Sequence, residues 1–308
     1  MSDLSLLATV LAKGLSTQAA TNSSRPPVGY LTAADWKSTP SQQIQSILPS
    51  NVRPDRNQYP TEFSPFAPIS PSSGTQLYWQ RFAAIRSGHL YTRLPLDSFR
   101  EIWSQATSNP TYGQWRQLLA LEAKAVTRGQ GNRRLSVMVG DSLSLWFPSD
   151  RLPSGQLWLN QAISGETTRN ILQRLPDFAV AHPQAIYVMA GVNDLKRGIT
   201  DNEILWNMRQ IIRHLKQSHP QSRIVVQSIL PTRTTAVPGD RIAWLNHRLA
   251  TIAQQDGAYF LDLYDQFADA DGRLREDWTT DGLHLNANGY ETWQAKLAQA
   301  DTWIAQGG

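Results

Sequence analysis

Four short apolar runs recur along the chain from residue 135 onward: LSVMVG (135–140), AIYVMAG (185–191), RIVVQSIL (223–230) and AYFLDL (258–263). Each is nearly continuous in β-branched or large apolar residues, the pattern of strands buried on both faces. The segments between them carry helical spacing. Thr200 and Glu203 form a capping box ahead of Ile204, Met208, Ile211 and Leu215. Asp240 is placed to cap a second helix, with Ile242, Leu245, Leu249 and Ile252 inward and Gly257 as its stop. A last helix follows Asn286 and carries Tyr290, Trp293 and Leu297. Strand alternating with helix predicts an α/β fold with a mostly parallel sheet covered on both sides. Sites in such sheets form beyond the C-terminal ends of the strands.

What precedes Leu135 reads differently. Residues 21–76 hold half of the 18 prolines among many Ser, Thr, Gln and Asn, so a long helix or a central strand is excluded there. The expected division is therefore an extended or partly disordered segment over 1–76, a helical lead-in over 77–132 and the α/β domain over 133–308. Leu4, Leu7, Leu11 and Leu15 share one helical face, which predicts a short amphipathic helix within the first segment. In the lead-in, LYWQRFAAIRSG, LDSFREIWSQAT and YGQWRQLLALEAKAVTRGQG each show helical spacing. The third has Trp115, Leu118, Leu119, Ala123 and Val126 on one face and Gly129 as a stop.

Composition narrows the chemistry. With 41% hydrophobic and 18% charged residues in 308, the chain has material for a sizeable core. The absence of cysteine excludes disulfides, thiolate catalysis and Cys-based zinc sites, so any nucleophile is an oxygen or nitrogen group. The net charge of +4 comes from scattered arginines rather than a basic run, which argues against nucleic acid as a partner. Asp3 precedes the N-terminal apolar stretch, no Lys or Arg does, and no A-x-A site follows. The expectation is a soluble, cytoplasmic protein, with the cell envelope as the alternative. No stretch has the length of a membrane span. Oligomeric state is open.

Three segments lie just past strand ends and so on one rim of the sheet: GDSLS (140–144), GVND (191–194) and DGLHL (281–285). Gly140 permits a tight strand-to-helix turn. Ser142 then opens a helix whose free N–H groups and dipole favour an anion, although an N-cap role competes for the same serine. Asp281 and His284 are three residues apart, close enough for one turn to set a carboxylate against one imidazole nitrogen and leave the other facing a nucleophile. A serine needs such a base, and the base needs a partner that fixes its tautomer. The competing readings are a packed histidine and a turn aspartate beside Gly282. Asn193 offers a side-chain NH₂ to a developing oxyanion, with helix capping as its alternative. In NQAISGETT (160–168), Gly165 can present a backbone N–H to the same oxygen.

With GDSL at 140–143, the glycine of NQAISGETT, GVND and DGLHL in order, the chain resembles the SGNH hydrolases, also called the GDSL family, over roughly residues 133–300. The lead-in and GDSLSLWFP resemble cyanobacterial members. The resemblance implies a three-layer α/β/α sandwich of flavodoxin-like type with a five-stranded sheet. It implies Ser142 as nucleophile, His284 as general base and acid, Asp281 as its orienter, and an oxyanion hole from the N–H of Ser142, the N–H of Gly165 and the side chain of Asn193. It implies an ester hydrolase acting on a small-molecule or glycan ester through an acyl-enzyme, without metal or organic cofactor. The G-x-S-x-G elbow of α/β-hydrolases is absent, so that fold is not assigned.

Two other functions stay open: an acyltransferase using the same triad on a sugar acceptor, and a non-catalytic glycan-binding module. No lid or long apolar run adjoins the motifs, which favours short acyl groups such as O-acetyl. Trp146, Phe147 and Trp278 flank the motifs and are read as core before pocket. DADGRL (269–274) lacks the spacing of a calcium loop and is read as a turn. His214 and His219 are read as solvated helix-end residues.

Overall fold

The structure, a computed structural model, describes residues 70–306. The expected amphipathic helix and most of the proline-rich segment lie outside the described residues. Five strands are formed: β1 (Leu135–Gly140), β2 (Leu157–Ala162), β3 (Ala185–Met189), β4 (Arg223–Gln227) and β5 (Tyr259–Leu261). Before β1 come helices α1 (Gly74–Arg86), α2 (Arg100–Trp103) and α3 (Tyr112–Gly129). After it come α4 (Ser142–Leu145), α5 (Thr168–Arg174), α6 (Val192–Lys196), α7 (Asp201–Ser218), α8 (Gly239–Gln255), α9 (Tyr264–Phe267) and α10 (Ala287–Ala305).

All strand pairs are parallel, in the order β2-β1-β3-β4-β5. The chain runs from β1 out to β2, then crosses back to lay β3 on the other side of β1. That reversal opens a crevice at the C-terminal ends of β1 and β3, where doubly wound sheets of this order bind ligands. Alternation along each strand assigns the two faces. Val137, Val139, Ile186, Val188, Ile224 and Val226 pack under α5, α7 and α8. Met138, Tyr187, Met189, Val225 and Leu261 face α10, where Trp293 and Leu297 are fully buried. The inward positions expected for α7 and α8 are buried throughout.

The run LWLNQA did not register as a strand in the sequence because Asn160 and Gln161 interrupt its apolar character. Both are buried and committed to local hydrogen bonds. Asn160 Nδ2 donates to Ser144 O at 2.8 Å, and Gln161 Nε2 donates to Leu119 O at 3.0 Å. The lead-in packs against this edge strand through Leu77, Tyr78, Leu118 and Leu119, which meet Ala162 and Ile163. Arg81 of α1 is fully buried, pairs with Glu122 of α3 at 2.5 Å and donates to Asn160 O of β2 at 2.7 Å. A buried guanidinium of this kind requires both the carboxylate and the carbonyl to replace its water.

Several local expectations need correction. α1 begins at Gly74, three residues ahead of the expected boundary, capped by Ser73. Helix forms in LDSFREIWSQAT only over α2. Thr200 caps α7, but Glu203 pairs with Arg169 at 3.2 Å instead of closing a capping box. Pro238, not Asp240, precedes α8. His219 is buried and stacked on Phe178, centroids 5.6 Å apart, rather than solvated.

Candidate active site

The three rim segments converge. Asp141 caps α4, its carboxylate accepting from Leu143 N at 3.1 Å. Asp141, rather than the serine, therefore takes the capping role, and Ser142 opens the helix with its side chain free for other contacts. Gly140 serves by its lack of bulk and not by an unusual backbone angle. A Cβ there would fall 2.6 Å from Met189 O, where β3 passes alongside.

His284 reaches the serine from the loop before α10. Its Nε2 lies 3.0 Å from Ser142 Oγ and its Nδ1 lies 2.7 Å from Asp281 Oδ2. The other oxygen, Asp281 Oδ1, accepts from the backbone N–H of Leu283 at 3.0 Å and of His284 at 2.8 Å. Partial burial alone would raise the Asp281 carboxyl, but the imidazole and these two N–H donors outweigh it and hold the carboxyl at about 2. Asp281 is then an ionised acceptor at neutral pH, so Nδ1 carries the ring proton and Nε2 is left to accept from the serine hydroxyl. The loop is closed by a bridge between Thr279 and Leu285 and pinned by Arg233, whose N–H donates to Gly282 O at 2.8 Å.

Gly165 sits beyond β2 with φ +79°, in the left-handed region, and its carbonyl accepts from Arg197 Nη2 at 2.8 Å. That contact turns the carbonyl toward Arg197. Among the described residues, neither the Gly165 N–H nor the Ser142 N–H donates to a protein group. Asn193 is buried in the first turn of α6. Its Nδ2 donates to Glu166 O at 3.0 Å and to Asp141 Oδ2 at 3.3 Å. The bond to Asp141 is the longer and weaker of the two.

Three acidic residues at the site were given no role in the sequence. Asp141 is buried, and burial is the main influence that lifts its carboxyl to about 7. The Leu143 N–H and the nearby His284 oppose the rise, while Glu166 and Asp194 add to it. Glu166 is buried against the fully buried Arg174 at 2.5 Å, and its carboxylate accepts from Tyr112 OH at 2.9 Å. The backbone carbonyl that holds Asn193 is thereby fixed. Asp194 likewise accepts from the N–H and hydroxyl of Thr168 at 2.9 and 2.6 Å, tying α6 to α5. In sequence each of these looks like an ordinary cap or surface acid; the signal that was available is their position at strand ends. Among the described residues no group of three or more His, Asp or Glu is placed to hold a metal.

A serine, a histidine and a carboxylate hydrogen-bonded in that order on the rim of a doubly wound parallel sheet is the arrangement that serine hydrolases use. Residues 111–292 match the GDSL-like Lipase/Acylhydrolase family, and the chain belongs to it. It is an ester-bond hydrolase by that membership. The chain is similar to the platelet-activating factor acetylhydrolase IB subunit alpha1 of Bos taurus, with 28% identity over 192 residues, 58% of this chain and 78% of that one. A solved structure of a candidate platelet activating factor protein from Streptococcus pneumonia matches with TM-score 0.55 and 23% identity, covering 61% of this chain and 92% of the other. A candidate acylhydrolase from Bacteroides fragilis matches with TM-score 0.50 and 20% identity, covering 56% and 89%. Among the described residues no helix is long and apolar enough to cross a membrane.

Proposed function

We propose that the chain cleaves a carboxylic ester bearing a short acyl group, such as an O-acetyl ester, through an acyl-enzyme on Ser142. The observation that carries this reading is the hydrogen-bonded order Ser142 Oγ, His284 Nε2 and Nδ1, Asp281 Oδ2, at 3.0 and 2.7 Å. Ser142 Oγ attacks the ester carbonyl carbon as His284 Nε2 takes its proton. The carbonyl oxygen becomes an oxyanion received by the N–H groups of Ser142 and Gly165 and by Asn193 Nδ2. Collapse breaks the bond to the alkoxy oxygen, which leaves with the proton from Nε2. Water, deprotonated by the same nitrogen, then attacks the acyl carbon; collapse breaks the bond to Ser142 Oγ, which takes the proton back from Nε2 as the acid leaves. Asp281 steadies the imidazolium in both halves.

Short acyl groups are favoured by the surroundings of the serine. Phe147, close enough in sequence to line a tunnel, is 3% exposed and packs edge-on to Trp293 and Tyr290 at 5.2 and 5.7 Å. The relative from Bos taurus is by name an acetylhydrolase, which agrees with that preference. The test is a p-nitrophenyl ester series from acetate to decanoate with fluorophosphonate labelling. Turnover should be highest on the shortest esters, and Ser142→Ala should lose both turnover and label. A Ser142→Ala protein that still labels and cleaves acetate would remove Ser142 from the mechanism. A maximum at decanoate would overturn the acyl preference alone.

A further inference from the structure

We propose that the groove between α1 and α3 binds a single-chain anionic amphiphile, its tail on an aliphatic floor and its carboxylate or phosphate head among the arginines at one end. The groove has a volume of about 710 Å³, within the range of roughly 300–1,000 Å³ that holds a small organic ligand. Helical spacing builds it. On α1, Phe82, Ile85 and Arg86 point into it; on α3, Leu121, Ala125 and Arg128 do, flanking Val126 of the face packed on the sheet. Leu121 is 48% exposed, an apolar side chain left open in the wall of a cavity rather than singly on a convex surface.

The charges are one-sided. Arg86, Arg93, Lys124, Arg128 and Arg133 line the groove, together with His89, and among the described residues no Asp or Glu does. Elsewhere, Arg116, Arg151, Arg209, Arg213 and Arg241 each lie within an ion pair. Among the described residues none of the five cations of the groove has a carboxylate partner. Arg133 is engaged with the carbonyls of Gly129 and Gln130 at the end of α3, and Arg86 lies over the Phe82 ring. The C-termini of α1 and α3 both end here. Each contributes roughly half a negative charge, so together they offset about one of the five positive charges. The remainder is complementary to an anion, and the aliphatic floor is complementary to a hydrocarbon chain. A nucleic acid fits less well, because the floor lacks the row of aromatic platforms that bases require.

The groove is separate from the catalytic rim. Leu157, which opens β2, lines it, and Arg133 precedes β1, whereas Ser142 follows the last residue of β1. Six residues of strand put the two ends about 20 Å apart.

Calorimetric titration of the full chain tests the proposal, using decanoate, decyl phosphate, 1-decanol and decyltrimethylammonium below their micelle concentrations. Decanoate and decyl phosphate should each saturate a single site, with the neutral and cationic analogues weaker by about tenfold or more. The Arg86→Gln/Arg128→Gln double variant should weaken the anions by about tenfold and leave decanol binding and p-nitrophenyl acetate turnover unchanged. Leu121→Asn should weaken all four. Equal binding of the cationic amphiphile, or unchanged affinities in the double variant, would overturn the site. So would inorganic phosphate matching decyl phosphate, or capture by phosphatidylglycerol vesicles without decanoate binding, since these describe a bare anion site and a membrane surface.

Discussion

Asp281 holds His284 twice, once through the ring at 2.7 Å and once through the backbone N–H at 2.8 Å. Asparagine at 281 can keep an acceptor for the backbone but turns the tautomer logic around, because its amide N–H can face Nδ1. Asp281→Asn is expected to lower kcat by about 10³-fold or more with the far-ultraviolet spectrum unchanged, measured on p-nitrophenyl acetate. Asn193→Ala should lower kcat by about 10²–10³-fold with little change in KM, the signature of an interaction made in the transition state. Asp141 makes a different prediction. Its carboxyl stands at about 7 in the fold against an ordinary 3.8, so protonation favours the folded state. That contribution is complete below about pH 4 and is lost as pH rises toward 7. Asp141→Asn keeps a good cap for α4 and removes the titration. Urea unfolding across this range should show wild-type stability falling relative to the variant as pH rises. A parallel pair of curves would contradict the assignment.

Among the elements, the turn from β1 into α4 has the least room. Gly140→Ala would set a methyl group 2.6 Å from Met189 O, and a cost of about 1–3 kcal/mol is expected in thermal or urea unfolding. The sequence made β1, β3, β4 and β5 readable because each is an unbroken apolar run, and the structure centres a strand on each. β2 was not readable in this way, since its Asn160 and Gln161 are polar for reasons only the neighbouring helices explain. The candidate catalytic residues were readable because the fold forces strand-end segments onto one rim. Asp141 and Glu166 were not, because nothing in a single sequence separates a buried acid from a surface one. The same holds for Arg81 and Glu122, whose pairing across 41 residues has no local signature. Glu122→Gln should destabilise by about 3–5 kcal/mol through the stranded Arg81 charge, and Arg81→Met/Glu122→Leu should recover most of it.

In the whole molecule the lead-in is part of the cover of the sheet. The family match begins at residue 111, yet α1 lies ahead of it and shields Leu118, Leu119, Ala162 and Ile163. A chain started at Thr111 is expected to bind hydrophobic dyes and melt several degrees lower than the full chain. The loop that carries Asp281 and His284 has a separate consequence. Both groups belong to one stretch of seven residues, clasped at Thr279 and Leu285 and anchored through Arg233. The Asp281–His284 pair is therefore held together within one short loop. The remainder of the architecture has one spacing to guard, between that loop and the serine. The contacts that set Asp281 against His284 lie inside that stretch, so a substitution on the opposite wall of the crevice leaves their pairing in place.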